Sequence, residues 1–281
     1  MRAAIWTAMY YRGINTCEAL RTLHALGWDC FELSTEHLEE IEKDPQQAKQ
    51  VEEVRRTLEG LGVQMPQAHG WISANVAHPD PAQRAHDVEL LLRQLVVCQA
   101  LGIKDVVIHP GTAAGYRTAE ERRGIHDLNV EAFRRLGDRA GELGLRIGLE
   151  NMLDWRDGTG QFGAKPEDVM GLLAAVDCPA LGVTFDASHA HAQKLDLPAA
   201  IRTFGGKLIC THISDNHGES DEHLTPGNGT IDWPTVVAAL RQIGYRGLFN
   251  LEIPGEDHPV PEIKALKVKH ALAVAAWLLE L

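Results

Sequence analysis

Six acidic or imidazole side chains stand where short apolar runs of this sequence end: His69, His109, Glu150, Asp186, His212 and Glu252. Every one is a metal-ligand type. Val106-Val107-Ile108-His109-Pro110-Gly111 and Ile147-Gly148-Leu149-Glu150-Asn151 show the pattern, each delivering a polar group directly from a run suited to a buried strand. Carboxylates and imidazoles that converge without a cation repel or strand one another, whereas a divalent ion satisfies them together. Mixed His and carboxylate ligation suits Zn, Mn, Fe or Co better than Ca or Mg alone. More ligand types follow in Asp186-Ala187-Ser188-His189 and Asp221-Glu222-His223.

Such residues act together only if the fold gathers the ends of their strands. Candidate strands run Ala3 to Thr7, Trp28 to Leu33, Gln64 to His69, Asp105 to His109, Arg146 to Glu150, Leu181 to Asp186, Lys207 to His212 and Gly247 to Glu252. Amphipathic stretches lie between them: Asp87 to Leu101 carries a stripe of Val88, Leu91, Leu92, Leu95 and Val96, and Ile263 to Leu279 closes the chain. Glycine follows helix after helix, at Gly27, Gly62, Gly102, Gly144 and Gly244, as a left-handed C-terminal cap requires. Eight such units with no Pro/Gly/Ser-rich linker predict one domain over residues 1–281, a single (β/α)8 TIM barrel of the α/β class. A doubly wound sheet is the runner-up. In a barrel, chemistry belongs at the C-terminal ends of the strands, where the six residues lie.

The bulk properties narrow the partners. The 281 residues are 44% hydrophobic and 23% charged, which excludes disordered, collagen-like and disulfide-stapled classes. A net charge of −12 sets up a field that repels nucleic acid and anionic membranes. Cys17, Cys30, Cys98, Cys178 and Cys210 are scattered and form no CxxC pair, as expected of a reducing compartment. With no signal-like or membrane-spanning run, the sequence reads as cytoplasmic.

The segments Gln67-Ala68-His69-Gly70, Gly182-Val183-Thr184-Phe185-Asp186-Ala187-Ser188-His189, His212-Ile213-Ser214-Asp215-Asn216 and Gly227-Asn228-Gly229-Thr230-Ile231-Asp232-Trp233 are together specific. The chain resembles the xylose isomerase-like TIM-barrel superfamily, which holds sugar isomerases and epimerases as well as metal-dependent endonucleases that cut at abasic sites. The resemblance to ketose epimerases implies a divalent ion (Mn, Co, Mg or Zn) held by Glu150, Asp186, His212 and Glu252. It makes Glu150 and Glu252 the acid/base pair that moves a proton beside a carbonyl through a metal-stabilised enediolate, with His189 hydrogen-bonding the sugar. Dehydration of a keto-sugar of the inosose type begins with the same proton abstraction and stays open. The resemblance to the zinc-dependent endonucleases implies up to three ions per chain, with His69, His109, His189, Asp221 and His223 joining the ligands. In the mononuclear reading, His69 and His109 contact substrate instead. Relatives of this kind commonly form homodimers or tetramers, so a homo-oligomer is the expectation.

Departures separate the readings. The endonucleases carry Arg, suited to phosphate, where this chain has Glu222. That residue and the net charge favour sugar chemistry. The tagatose-type epimerases carry a substrate-gripping glutamate where this chain reads Asp154-Trp155-Arg156, so the substrate pocket differs. Arg156 or His217 can take a phosphate or carboxylate on the sugar. Trp71, Trp155 and Trp233 serve equally for stacking on a sugar and for packing. His24, His37, His78, His86, His126, His258 and His270 read as surface or capping residues.

Overall fold

The computed structural model describes residues 1–112, 118–154 and 161–281. Eight strands, β1 (Arg2–Trp6), β2 (Cys30–Leu33), β3 (Gln64–His69), β4 (Asp105–Ile108), β5 (Arg146–Glu150), β6 (Leu181–Asp186), β7 (Leu208–His212) and β8 (Leu248–Leu251), pair in the order β7-β6-β5-β4-β3-β2-β1-β8. All of these pairings are parallel. The last seam is joined just beyond the strand ends, where Ile213 pairs with Leu251. There Ile213 N–H donates to Asn250 O at 2.8 Å and Glu252 N–H to Ile213 O at 3.2 Å. The expected single (β/α)8 barrel is therefore the fold, and the doubly wound sheet is not.

Three strands have the boundaries expected from sequence, and the others differ by one or two residues. β4 stops one residue before His109 because Pro110 has no N–H with which to continue the ladder. Alternating strand residues such as Phe31, Leu149, Phe185 and Phe249 are fully buried. They pack with the surrounding helices, including Pro81–Leu101, Ala119–Glu142 and Pro261–Glu280. The five punctuating glycines all take positive φ, between 68° and 104°, as helix caps. Gly148 is needed for a different reason: a Cβ there would sit 2.2 Å from Thr184 Oγ1, so only glycine lets β5 lie against β6 two residues below Glu150. None of the described helices is long and apolar enough to cross a membrane.

His37 departs from the surface or capping role expected of it. Its ring is buried, 1% exposed, and bonds through Nδ1 to Thr7 Oγ1 at 3.0 Å, tying the end of β1 to the helix after β2. Burial, only partly offset by the Ile14 carbonyl, lowers its pKa to about 4. The unfolded chain, with an ordinary histidine near 6.5, then binds more protons below that pH, so stability falls as the pH drops from 6.5 towards 4. Between pH 7 and pH 5 this single group is expected to remove about 2 kcal/mol. Urea unfolding of the protein and of His37→Gln at both pH values checks it: the variant should lack that part of the pH dependence, and identical slopes would refute the assignment.

Candidate metal centre

Barrel geometry brings the predicted strand-end residues to one place. Glu150 ends β5, Asp186 ends β6, His212 ends β7 and Glu252 follows β8. One ligand atom from each of these four falls within 4.8 Å of the others. His212 Nδ1 lies 3.2 Å from Glu252 Oε2, 3.4 Å from Glu150 Oε1 and 3.9 Å from Asp186 Oδ2. Glu150 Oε2, Asp186 Oδ2 and His212 Nδ1 are buried and accept or donate no hydrogen bond. Buried ligand atoms without hydrogen bonds, on residues gathered this closely, are what a cation would satisfy.

Glu150 is also the meeting point of the neighbouring imidazoles. His69 Nε2 stands 3.4 Å and His109 Nε2 3.2 Å from its Oε2, and His189 Nδ1 stands 3.4 Å from its Oε1. His69, Glu150 and His212 form a second ligand-type group, and His189, Asp221 and His223 a third. In the third, Asp221 Oδ2 is 3.3 Å from His189 Nε2 and 2.8 Å from His223 Nε2.

The carboxylates respond unequally to this crowding. Burial would raise Glu150, but His212 and His109 facing it hold its carboxyl well below the usual range. Burial pushes Asp186 up to about 7 against the pull of His189, and the charges of Glu150 and Asp221 add to the rise. Asp221 is held low despite burial by hydrogen bonds from His189 and His223. Burial opposes protonation of His223, yet Asp221 and Glu252 raise it to about 9. Without a cation, the protein's own protons must balance the carboxylates.

Local structure holds these groups in place. Asp186 caps the short helix Ala187–Ala192, its Oδ1 accepting from His189 N–H at 2.6 Å. Asn151 clamps the ends of β5 and β6, accepting from Asp186 N–H at 2.8 Å and donating to Asp186 O at 3.0 Å. The loop after β7 is organised by the buried Asp215. Its Oδ1 accepts from Asn216 and Ile231 N–H, and its Oδ2 from Gly227 N–H and Trp233 Nε1, the last two at 2.8 Å. His223, at φ 50°, takes a left-handed conformation uncommon for a non-glycine residue, which aims its ring at Asp221.

The remaining predicted residues divide. His217 lies on an exposed turn, where its Nδ1 donates to Glu222 Oε2 at 2.9 Å, and it belongs to none of the three groups. Arg156 and Trp155 lie outside the described residues. Trp233 is buried, stacking edge-on to Phe249 and bonded to Asp215, so it packs the loop. Trp71 is partly buried against the core beneath Lys43. The sequence reading missed Glu32, fully buried within β2 one residue before its end, whose Oε2 lies 3.0 Å from His212 Nε2. Its signal was present in Cys30-Phe31-Glu32-Leu33, a charge set in an apolar strand like the six residues singled out above.

Comparisons with known proteins agree with this architecture. A family model described as a xylose isomerase-like TIM barrel matches residues 20–278. An uncharacterized protein of Methanocaldococcus jannaschii is 33% identical over 149 residues, and that match spans half of its length. A probable endonuclease 4 of Acholeplasma laidlawii is 26% identical over 80% of this chain and 81% of its own. A ketose 3-epimerase of Arthrobacter globiformis is 27% identical over 62% of this chain and 58% of its own. The solved D-psicose 3-epimerase of Clostridium cellulolyticum H10 superposes with a TM-score of 0.81 over 99% of both chains at 19% identity, a likeness of fold.

Proposed function

The chain belongs to the xylose isomerase-like TIM-barrel family, and we propose that it is a divalent-metal-dependent isomerase or epimerase of a small sugar or sugar phosphate. The observation that carries this reading is the convergence of Glu150, Asp186, His212 and Glu252, each offering a ligand atom within 4.8 Å of the others, with Asp186 Oδ2 and His212 Nδ1 buried without hydrogen-bond partners. These four residues fit Mn, Co, Mg or Zn. A bound ion supplies Lewis-acid polarisation of the substrate carbonyl. The chain's own groups do the rest. Glu150 and Glu252 stand three strands apart around the barrel, so that one takes the proton from the carbon beside the carbonyl and the other returns it. His189 spends its Nδ1–H on Asn151 O at 2.9 Å, which turns its Nε2 towards Asp221 Oδ2, 3.3 Å away. His109 and Glu252, at 19% and 15% side-chain exposure, form the accessible side of the centre. The ketose 3-epimerase of Arthrobacter globiformis and the Bacillus inosose isomerases among the relatives support sugar chemistry.

The test is solvent exchange. Metal-loaded protein in deuterated water with a panel of ketoses and ketose phosphates is expected to place deuterium beside the carbonyl of at least one of them. Exchange on none would reject the reading. A second reading, phosphodiester cleavage at abasic sites, draws on the His189, Asp221 and His223 group and the Acholeplasma relative. Against it stand the net charge of −12 and the anionic Glu222 between Asp221 and His223. Nicking of abasic-site DNA in place of ketose exchange would establish it.

A further inference from the structure

We propose that Glu32 is the positioning residue of this centre: it fixes His212 in the tautomer that turns Nδ1 towards the ion, and it strengthens that nitrogen as a donor. The inference rests on the metal-dependent reading above and deepens it.

The imidazoles around the centre are oriented in two ways. His69, His189 and His223 each donate Nδ1–H to a main-chain carbonyl, of Gly70 at 2.7 Å, Asn151 at 2.9 Å and Glu252 at 3.1 Å. All three therefore present Nε2. His212 is reversed: its Nε2–H donates to Glu32 Oε2 at 3.0 Å, and its Nδ1 faces the carboxylates of Glu150 and Glu252. The ligand-side nitrogen of a histidine is set by the bond its other nitrogen makes. Here that bond goes to a full negative charge and not to a carbonyl dipole, which raises the basicity of the opposite nitrogen.

Glu32 stands where a carboxyl is expensive to keep. It is fully buried, and no lysine or arginine bonds it among the described residues. Its Oε2 also accepts from Gln67 Nε2, which ties it to the strand that ends at His69, while its Oε1 is buried without a partner. A carboxylate removed from water at this cost needs a counter-charge. Among the described residues, the side chain that bonds it directly and can carry such a charge is His212, and a cation on Nδ1 supplies it through the ring.

Two measurements, both made with metal alone and no sugar, decide the matter. In histidine-labelled, zinc-loaded wild-type protein, long-range proton–nitrogen correlation spectra are expected to show His212 protonated at Nε2 and bound through Nδ1. Binding through Nε2, or no response of His212 to zinc, overturns the proposal even if no variant folds. In Glu32→Gln, manganese(II) affinity, followed by the free-ion electron paramagnetic resonance signal, is expected to fall roughly 10- to 100-fold. A folded variant whose affinity stays within about twofold overturns it as well. A protein that passes both measurements and exchanges no ketose refutes the proposed reaction and leaves this role of Glu32 standing.

Discussion

Glu150→Gln is expected to lower ketose turnover and solvent deuterium exchange by roughly 10²- to 10⁴-fold, the range for loss of a positioned acid/base group. The substitution is nearly isosteric, so the side chain still fills its site between β4 and β6, where it is 1% exposed. What changes is charge. His69, His109, His189 and His212 all lie within 3.2 to 3.4 Å of this carboxylate and lose their common anion. Metal affinity should fall too, since an amide oxygen is the weaker ligand, so the assay is made at saturating manganese(II) with bound metal measured in parallel. Metal-replete variant protein that turns over within about threefold of wild type would remove Glu150 from the chemistry. A variant that still binds sugar but does not exchange its proton would separate catalysis from mere carbohydrate binding.

Removing the ion is expected to have an effect of similar size on stability and a complete one on activity. With no cation, the centre holds the carboxylates of Glu150, Asp186 and Glu252 together, and Asp186 is driven towards protonation near neutral pH. A ligand present at a thousand times its dissociation constant stabilises the folded state by about 4 kcal/mol. For a chain of this size that corresponds to a melting temperature lowered by roughly 10 °C on chelation. Thermal unfolding with and without chelator, followed by refilling with Mn, Co, Mg or Zn in turn, measures it. Restored melting and restored activity should rank the ions in the same order. Unchanged melting and full activity in chelator would refute the metal centre. Counting the ions bound at saturation also shows whether His189, Asp221 and His223 hold one of their own.

Much of this centre was legible in the sequence, and for a physical reason. A buried parallel strand is a run of apolar residues, so a charge at its end stands out, and barrel closure gathers such ends whatever the loops do. Glu150, Asp186 and His212 could be placed at their strand ends from pattern alone. His109 and Glu252 sit one residue past their strands, where Pro110 stops one ladder and the β8 seam is held by Ile213. Glu32 was passed over because it lies one residue short of the end of β2, at Leu33, and so inside the run. The partners of Asp215 were not legible, since they come from residues 12 to 18 positions downstream whose approach only the folded loop defines. The burial of His37 was hidden likewise, because Thr7 and Ser34 meet it from different strand ends.

The single carboxylate that pins the loop after β7 also divides that loop into parts that differ in how freely they can vary. Asp215, Gly227, Ile231 and Trp233 form a closed set of bonds, and Gly229 packs so tightly that a Cβ would meet Asp215 Oδ1 at 2.3 Å. Between them, His217, Glu219 and Ser220 face solvent. Sequence drift, inserted residues and laboratory selection for new substrates should therefore accumulate at this exposed tip, while Asp221 and His223 keep their positions because the frame beneath them cannot follow.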